Sequence, residues 1–160
     1  MPTEIYLASD HGGVRLKAAI RAYLTSEDAP QKNMEIIDLG PDSDASVDYP
    51  DYAGKLAAAL ENRPGARGIL ICGSGIGISI AANRYPWIRA ALVQDETAAR
   101  LCREHNNANV LALGERTTGE LTALAAVAVF LSTQFAGGRH QNRVAKLADP
   151  AKVLAATTEK

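Results

Sequence analysis

Apolar positions along the chain alternate between two periods. EIYLAS (Glu4 to Ser9) has the short, branched and aromatic character of a strand. Val14 to Ser26 follows, with Leu16, Ile20, Tyr23 and Leu24 on one helical face. MEIIDL (Met34 to Leu39) is a second strand, stopped by Gly40-Pro41. Pro50 precedes a helix carrying Tyr52, Leu56, Ala59 and Leu60, and Pro64-Gly65 ends it. GILIC (Gly68 to Cys72) is apolar at nearly every position, as in a strand covered on both faces. A helix is expected from about Gly77 to Asn83, a strand over Ile88 to Val93 and a helix over Thr97 to Glu104. A fifth strand spans Asn109 to Gly114, and a long helix starts near Thr118. Five strand–helix alternations predict an α/β protein: one domain with a five-stranded parallel sheet and helices on both faces. From about Ala151 the chain is polar enough to fray or to lie on a neighbour.

Composition narrows the field only modestly. The 160 residues are 47% hydrophobic and 22% charged, with a formal net charge of -1. That balance is ordinary for a soluble globular protein and gives no electrostatic footprint for nucleic acid. LTALAAVAVFL (Leu121 to Leu131) is too short for a membrane-spanning helix, which needs about 20 residues. It reads as a buried helix or an oligomer face. The opening residues lack a basic segment followed by a long apolar run, so no signal peptide is expected. The two cysteines, Cys72 and Cys102, lack metal-type spacing, and a reduced, cytoplasmic location is the simplest expectation.

Ligands of open α/β sheets bind beyond the carboxyl ends of the strands. Those ends and the turns beyond the helices carry Asp10-His11-Gly12-Gly13, Cys72-Gly73-Ser74-Gly75-Ile76-Gly77, Gln94-Asp95, His105-Asn106-Asn107, Gly114-Glu115-Arg116 and Gly137 to Arg143. Polar chemistry is therefore expected to converge on one rim. The glycine turn suits an anion held by successive N–H groups ahead of a helix. A plain tight turn would look the same. Its G-x-G-x-G pattern differs from the dinucleotide fingerprint, because Ile78 stands where the last glycine belongs. Asp95, roughly 20 residues further on, is the main support for a nicotinamide-dependent oxidoreductase. Cys72 ends a strand and faces a helix start, a setting that favours a thiolate able to take a proton. Cys102 lies within a helix and reads as core. Arg139 and Arg143 are four residues apart, so both guanidinium groups share a helical face and suit a phosphate. His140, between them, is expected to point away.

Together, Asp10-His11-Gly12-Gly13, Asp48-Tyr49-Pro50, ICGSGIGISIAAN, His105-Asn106-x-x-Asn109-Val110 and Gly137-Gly138-Arg139-His140-x-x-Arg143 resemble the type B ribose-5-phosphate isomerases. The resemblance runs from Ile5 to about Leu147. It implies a Rossmann-like α/β/α sandwich and a metal-free, cofactor-free aldose–ketose isomerase acting through a cis-enediol. Ribose 5-phosphate is the expected substrate, with allose 6-phosphate and galactose 6-phosphate as alternatives. It also implies dimers or tetramers with sites shared between subunits. Residue by residue, Cys72 matches the base, His105 the group that opens the sugar ring, and Ser74 the group that assists proton movement at the sugar oxygens. Asp10, Tyr49 and Asn106 match residues that hold sugar hydroxyls. Gly73, Gly75 and Gly77 lie in the loop that resembles the enediolate's anion hole. His11, Arg116, Arg139 and Arg143 match the phosphate site. Some members place a glutamate base at the position of Ile78; this chain is similar to the cysteine subtype. The loop Pro41 to Val47 and residues near Tyr49 are expected to shape the far end of the pocket, and the final helix is expected near a dimer interface. A sugar-phosphate-binding sensor on the same scaffold is the non-enzymatic rival.

Overall fold

The computed structural model describes residues 2–158. Five strands form one parallel sheet in the order β2-β1-β3-β5-β4. They are β1 (Thr3–Ser9), β2 (Met34–Asp38), β3 (Arg67–Cys72), β4 (Ala90–Leu92) and β5 (Val110–Gly114). The helices are α1 (Val14–Thr25), α2 (Tyr49–Leu60), α3 (Ile76–Ala82), α4 (Glu96–Asn106), α5 (Glu120–Ser132), α6 (Arg139–Leu147) and α7 (Pro150–Thr158). The expected strand–helix order holds, with boundary shifts of a few residues. Expected strand Ile88 to Val93 shrinks to three residues, because the Ile88 N–H donates to Tyr85 and the Arg89 N–H to the Asn109 side chain. Of the segment from about Ala151, expected to fray or lie on a neighbour, residues up to Thr158 are helical in α7, which packs on α6, and the last two lie outside the described residues.

Alternation along the central strands sends apolar side chains to both faces. Ile5, Leu7, Ile69, Ile71, Leu111 and Leu113 meet α1, α4 and α5 on one side. Tyr6, Ala8, Leu70, Cys72, Val110 and Ala112 meet α2 and α3 on the other. The result is the three-layer α/β/α sandwich. The apolar run of α5 belongs to this chain's own core: Ala123, Ala126, Val127, Phe130 and Leu131 are buried. Of the two expectations for that segment, a buried helix or an oligomer face, its inner face meets the first. Exposed apolar side chains lie at Leu121 in the first turn of α5, at Ile76, Ile80 and Leu92 beside the glycine turn, and at Leu147, Val153 and Leu154. Among the described residues no helix is long and apolar enough to cross a membrane.

The strand order places a switch point between β1 and β3. From β1 the chain moves outward to β2, then returns to β3 on the other side. The turns leaving β1 and β3 therefore diverge and open a crevice at their carboxyl ends.

Candidate active site

A cavity of about 410 Å³ fills that crevice, lined by Asp10, His11, Gly12, Tyr49, Cys72, Gly73, Ser74, Gly77, Arg116 and Thr117. Cys72 is the last residue of β3 and is almost wholly buried. Its Sγ accepts the Gly75 N–H at 3.1 Å. A backbone donor aimed at sulfur stabilises negative charge there. Gly75 can make that contact because it adopts φ 75°, the left-handed region, as it turns from strand into α3. A Cβ there would also strike the Leu113 carbonyl carbon at 2.9 Å.

The other two glycines of the turn serve side chains. A Cβ on Gly73 would touch the Arg116 guanidinium at 3.4 Å, so Arg116 lies directly over this backbone. A Cβ on Gly77 would meet the Tyr49 ring at 2.8 Å, so the bare helix start seats that ring. Arg116 is further fixed by its own N–H, which donates to the Gly73 carbonyl at 2.9 Å. Its neighbour Glu115 turns elsewhere, accepting from the Leu16 N–H at 3.0 Å and Arg15 Nε at 3.1 Å.

Asp10 Oδ1 accepts the Gly12 N–H at 2.9 Å, which holds the carboxylate at the start of the turn. His11 Nδ1 lies 3.1 Å from the Val47 carbonyl oxygen and 3.2 Å from its nitrogen. Of residues 41–47, expected to shape the far end of the pocket, none lines this cavity, and the Val47 backbone contacts His11. Lys17 anchors the start of the same loop through Asp38 Oδ1 at 2.5 Å and the Pro41 carbonyl at 2.8 Å.

His105, Asn106, Arg139 and Arg143 do not line this cavity. The expectation of one common rim fails for them within a single chain. The cause is connectivity: α4 leaves the carboxyl end of β4 and carries the chain back to the start of β5. Asn106 accordingly lines a second cavity with Arg89 and Ala90, at the amino end of β4. Four residues of register separate Val110 from Gly114, the partner of Cys72, or about 13 Å of strand. His105 sits with α6, where its ring stacks on His140. His140 is buried, while Arg139 and Arg143 are exposed, so it does point away from them.

Two cavity residues, Gly12 and Thr117, were given no role from the sequence. Gly12 was legible as part of a motif, and Thr117 follows Arg116 directly after a strand end. Asp95 spends its carboxylate on the start of α4, accepting the Ala98 N–H at 2.7 Å. That removes the main support for a nicotinamide site. Among the described residues no group of three His, Cys, Asp or Glu side chains is placed to hold a metal ion.

Comparison with known proteins gives a consistent picture. The family model described as Ribose/Galactose Isomerase matches residues 5–147. Ribose-5-phosphate isomerase B of Escherichia coli K12 is 43% identical over 141 residues, 88% of this chain and 91% of that protein. The ribose-5-phosphate isomerase B structure from Clostridium thermocellum superposes with a TM-score of 0.87 at 46% identity, covering 95% of this chain and 99% of that one. The Mycoplasma genitalium structure, solved with ribulose-5-phosphate bound, gives 0.86 at 41% identity, covering 95% and 98%.

Proposed function

The chain belongs to the ribose/galactose isomerase family, and from that premise we propose that it interconverts ribose 5-phosphate and ribulose 5-phosphate without a cofactor. The observation that carries the reading is the Cys72 thiol in the cavity wall, held by the Gly75 N–H at the switch point of the sheet. A carbon acid beside a carbonyl needs one base, donors for the developing oxyanion and an acid–base group for the sugar oxygens.

The steps follow from those needs. His105 moves a proton between the ring oxygen and the anomeric hydroxyl, which frees the aldehyde. The Cys72 thiolate removes the C2 proton, and the electron pair flows to O1 to give a cis-enediolate. Ser74 passes a proton between O1 and O2. The thiol then returns its proton to C1, leaving the ketose. Gly75 has its N–H engaged by sulfur and Ile76 donates to Ser74 Oγ at 3.3 Å. The N–H groups of Gly73, Ser74 and Gly77 are therefore the donors we assign to the oxyanion. Asp10, Tyr49 and Asn106 hold sugar hydroxyls, and His11, Arg116, Arg139 and Arg143 hold the phosphate.

The site is composite in this reading. Base and ring opener lie toward opposite ends of the parallel strands, so in this reading His105, Asn106 and α6 complete the cavity of a second copy. The exposed Ile76, Ile80 and Leu92 border the glycine turn and give that copy an apolar seat. A cytoplasmic homodimer follows from the same premise. Cys72→Ala tests the assignment: turnover of ribose 5-phosphate collapses while phosphosugar affinity holds. Near-normal kcat in that variant refutes the base. Higher kcat/KM on allose 6-phosphate or galactose 6-phosphate refutes the substrate.

A further inference from the structure

The buried residue of α6 is a histidine, and it is buried against another histidine. The rings of His105 and His140 lie 4.3 Å apart between centroids and 10° from parallel. An aliphatic side chain would anchor a helix at less desolvation cost. The backbone is shaped for this contact: Gly137 and Gly138 both take positive φ, 64° and 54°, immediately before α6. The Ala136 N–H donates to the Glu104 carbonyl at 3.0 Å, which ties the approach to α4.

Acid–base histidines are ordinarily oriented by a hydrogen bond on the ring nitrogen that does not react. Among the described residues neither His105 nor His140 makes a side-chain hydrogen bond. The flat face of His140 is the contact left to set the plane of His105. We infer that His140 is a positioning residue, a flat platform that fixes the ring of His105 and holds the α6 arginines in register with it. This rests on the ring-opening role given to His105 above.

The electrostatics fit a neutral platform. Burial, then His105, Arg139 and Arg143, push the His140 pKa below its ordinary value. That direction disfavours charge on the ring stacked against His105.

The experiment compares His140→Ala with His140→Phe, which keeps a flat ring and no charge. Turnover is measured on ribose 5-phosphate and on a phosphorylated aldose that lacks the ring-closing hydroxyl. His140→Ala lowers kcat on the cyclic sugar about tenfold and leaves the open-chain analogue nearly untouched. His140→Phe recovers most of that loss. Independently of turnover, the His105 ring proton resonance is shifted upfield by the stacked neighbour, and His140→Ala abolishes that shift while His140→Phe retains it. Equal losses on both substrates, or Phe no better than Ala, overturn the inference. So does an unchanged His105 resonance in His140→Ala. A wild-type protein inert on both sugars, with the NMR result as expected, instead overturns the activity and leaves the platform standing.

Discussion

Gly77 separates two uses of the glycine turn, and Gly77→Ala decides between them. The added methyl would lie 2.8 Å from Tyr49 Cζ and about 3 Å from both adjacent ring carbons. Carbon atoms rest near 3.5–4.0 Å, so the ring must recede by roughly 1 Å. Tyr49 is 40% exposed, which gives it room to move. Gly77 lies in the first turn of α3, where alanine is the better helix former by up to about 1 kcal/mol. The melting temperature should therefore hold or rise slightly. The Tyr49 hydroxyl loses its alignment with the sugar, and one hydrogen bond is worth about 0.5–1.5 kcal/mol. The expected cost is about 2- to 12-fold in kcat/KM, carried by KM. Tyr49→Phe should cost a similar factor, and the double variant little more, because both remove one contact. Steady-state kinetics and a thermal melt on the four proteins are sufficient. A collapse of kcat in Gly77→Ala that persists on the Tyr49→Phe background refutes this reasoning. It would mean that the added methyl obstructs the oxyanion's approach to the Gly77 N–H rather than displacing Tyr49.

Three further outcomes follow from the geometry. Mixing Cys72→Ala with His105→Ala subunits should restore activity, to about a quarter of wild type after random one-to-one exchange in a two-fold dimer; no recovery despite verified exchange would put both residues in one chain's site. Arg143→Ala should weaken phosphosugar binding about 10- to 100-fold, since a charge-assisted hydrogen bond is worth about 1.5–3 kcal/mol, and should scarcely change binding of the unphosphorylated sugar in calorimetry. His140 has a folded-state pKa below its ordinary value through burial, His105, Arg139 and Arg143. The unfolded chain thus takes up the proton first as pH falls below about 6.5, so acid-side stability in urea should fall more steeply for wild type than for His140→Phe; parallel curves would argue against a neutral His140.

Read alone, the sequence determined the layers and half of the site. Strand–helix alternation and the two-sided apolarity of GILIC and NVLALG specify a parallel sheet covered on both faces, since only such a sheet makes continuous apolar strands economical. Strand ends can be placed from the pattern, so Asp10, Cys72, Ser74 and Arg116 were legible as neighbours without coordinates. Periodicity is silent on where a helix delivers its last turn relative to a distant strand end. Tertiary structure alone decided that α4 returns to the opposite end of the strands, taking His105 and Asn106 away from Cys72. It also decided that the apolar run of α5 is spent inside the chain, because α4 and α1 flank it. The glycines show the same division. Their spacing announced a tight turn, yet only packing revealed that Gly73 underlies Arg116, Gly75 aims its N–H at a thiol, and Gly77 seats Tyr49. A glycine marks a place where something comes close, and what comes close is fixed by residues remote in sequence.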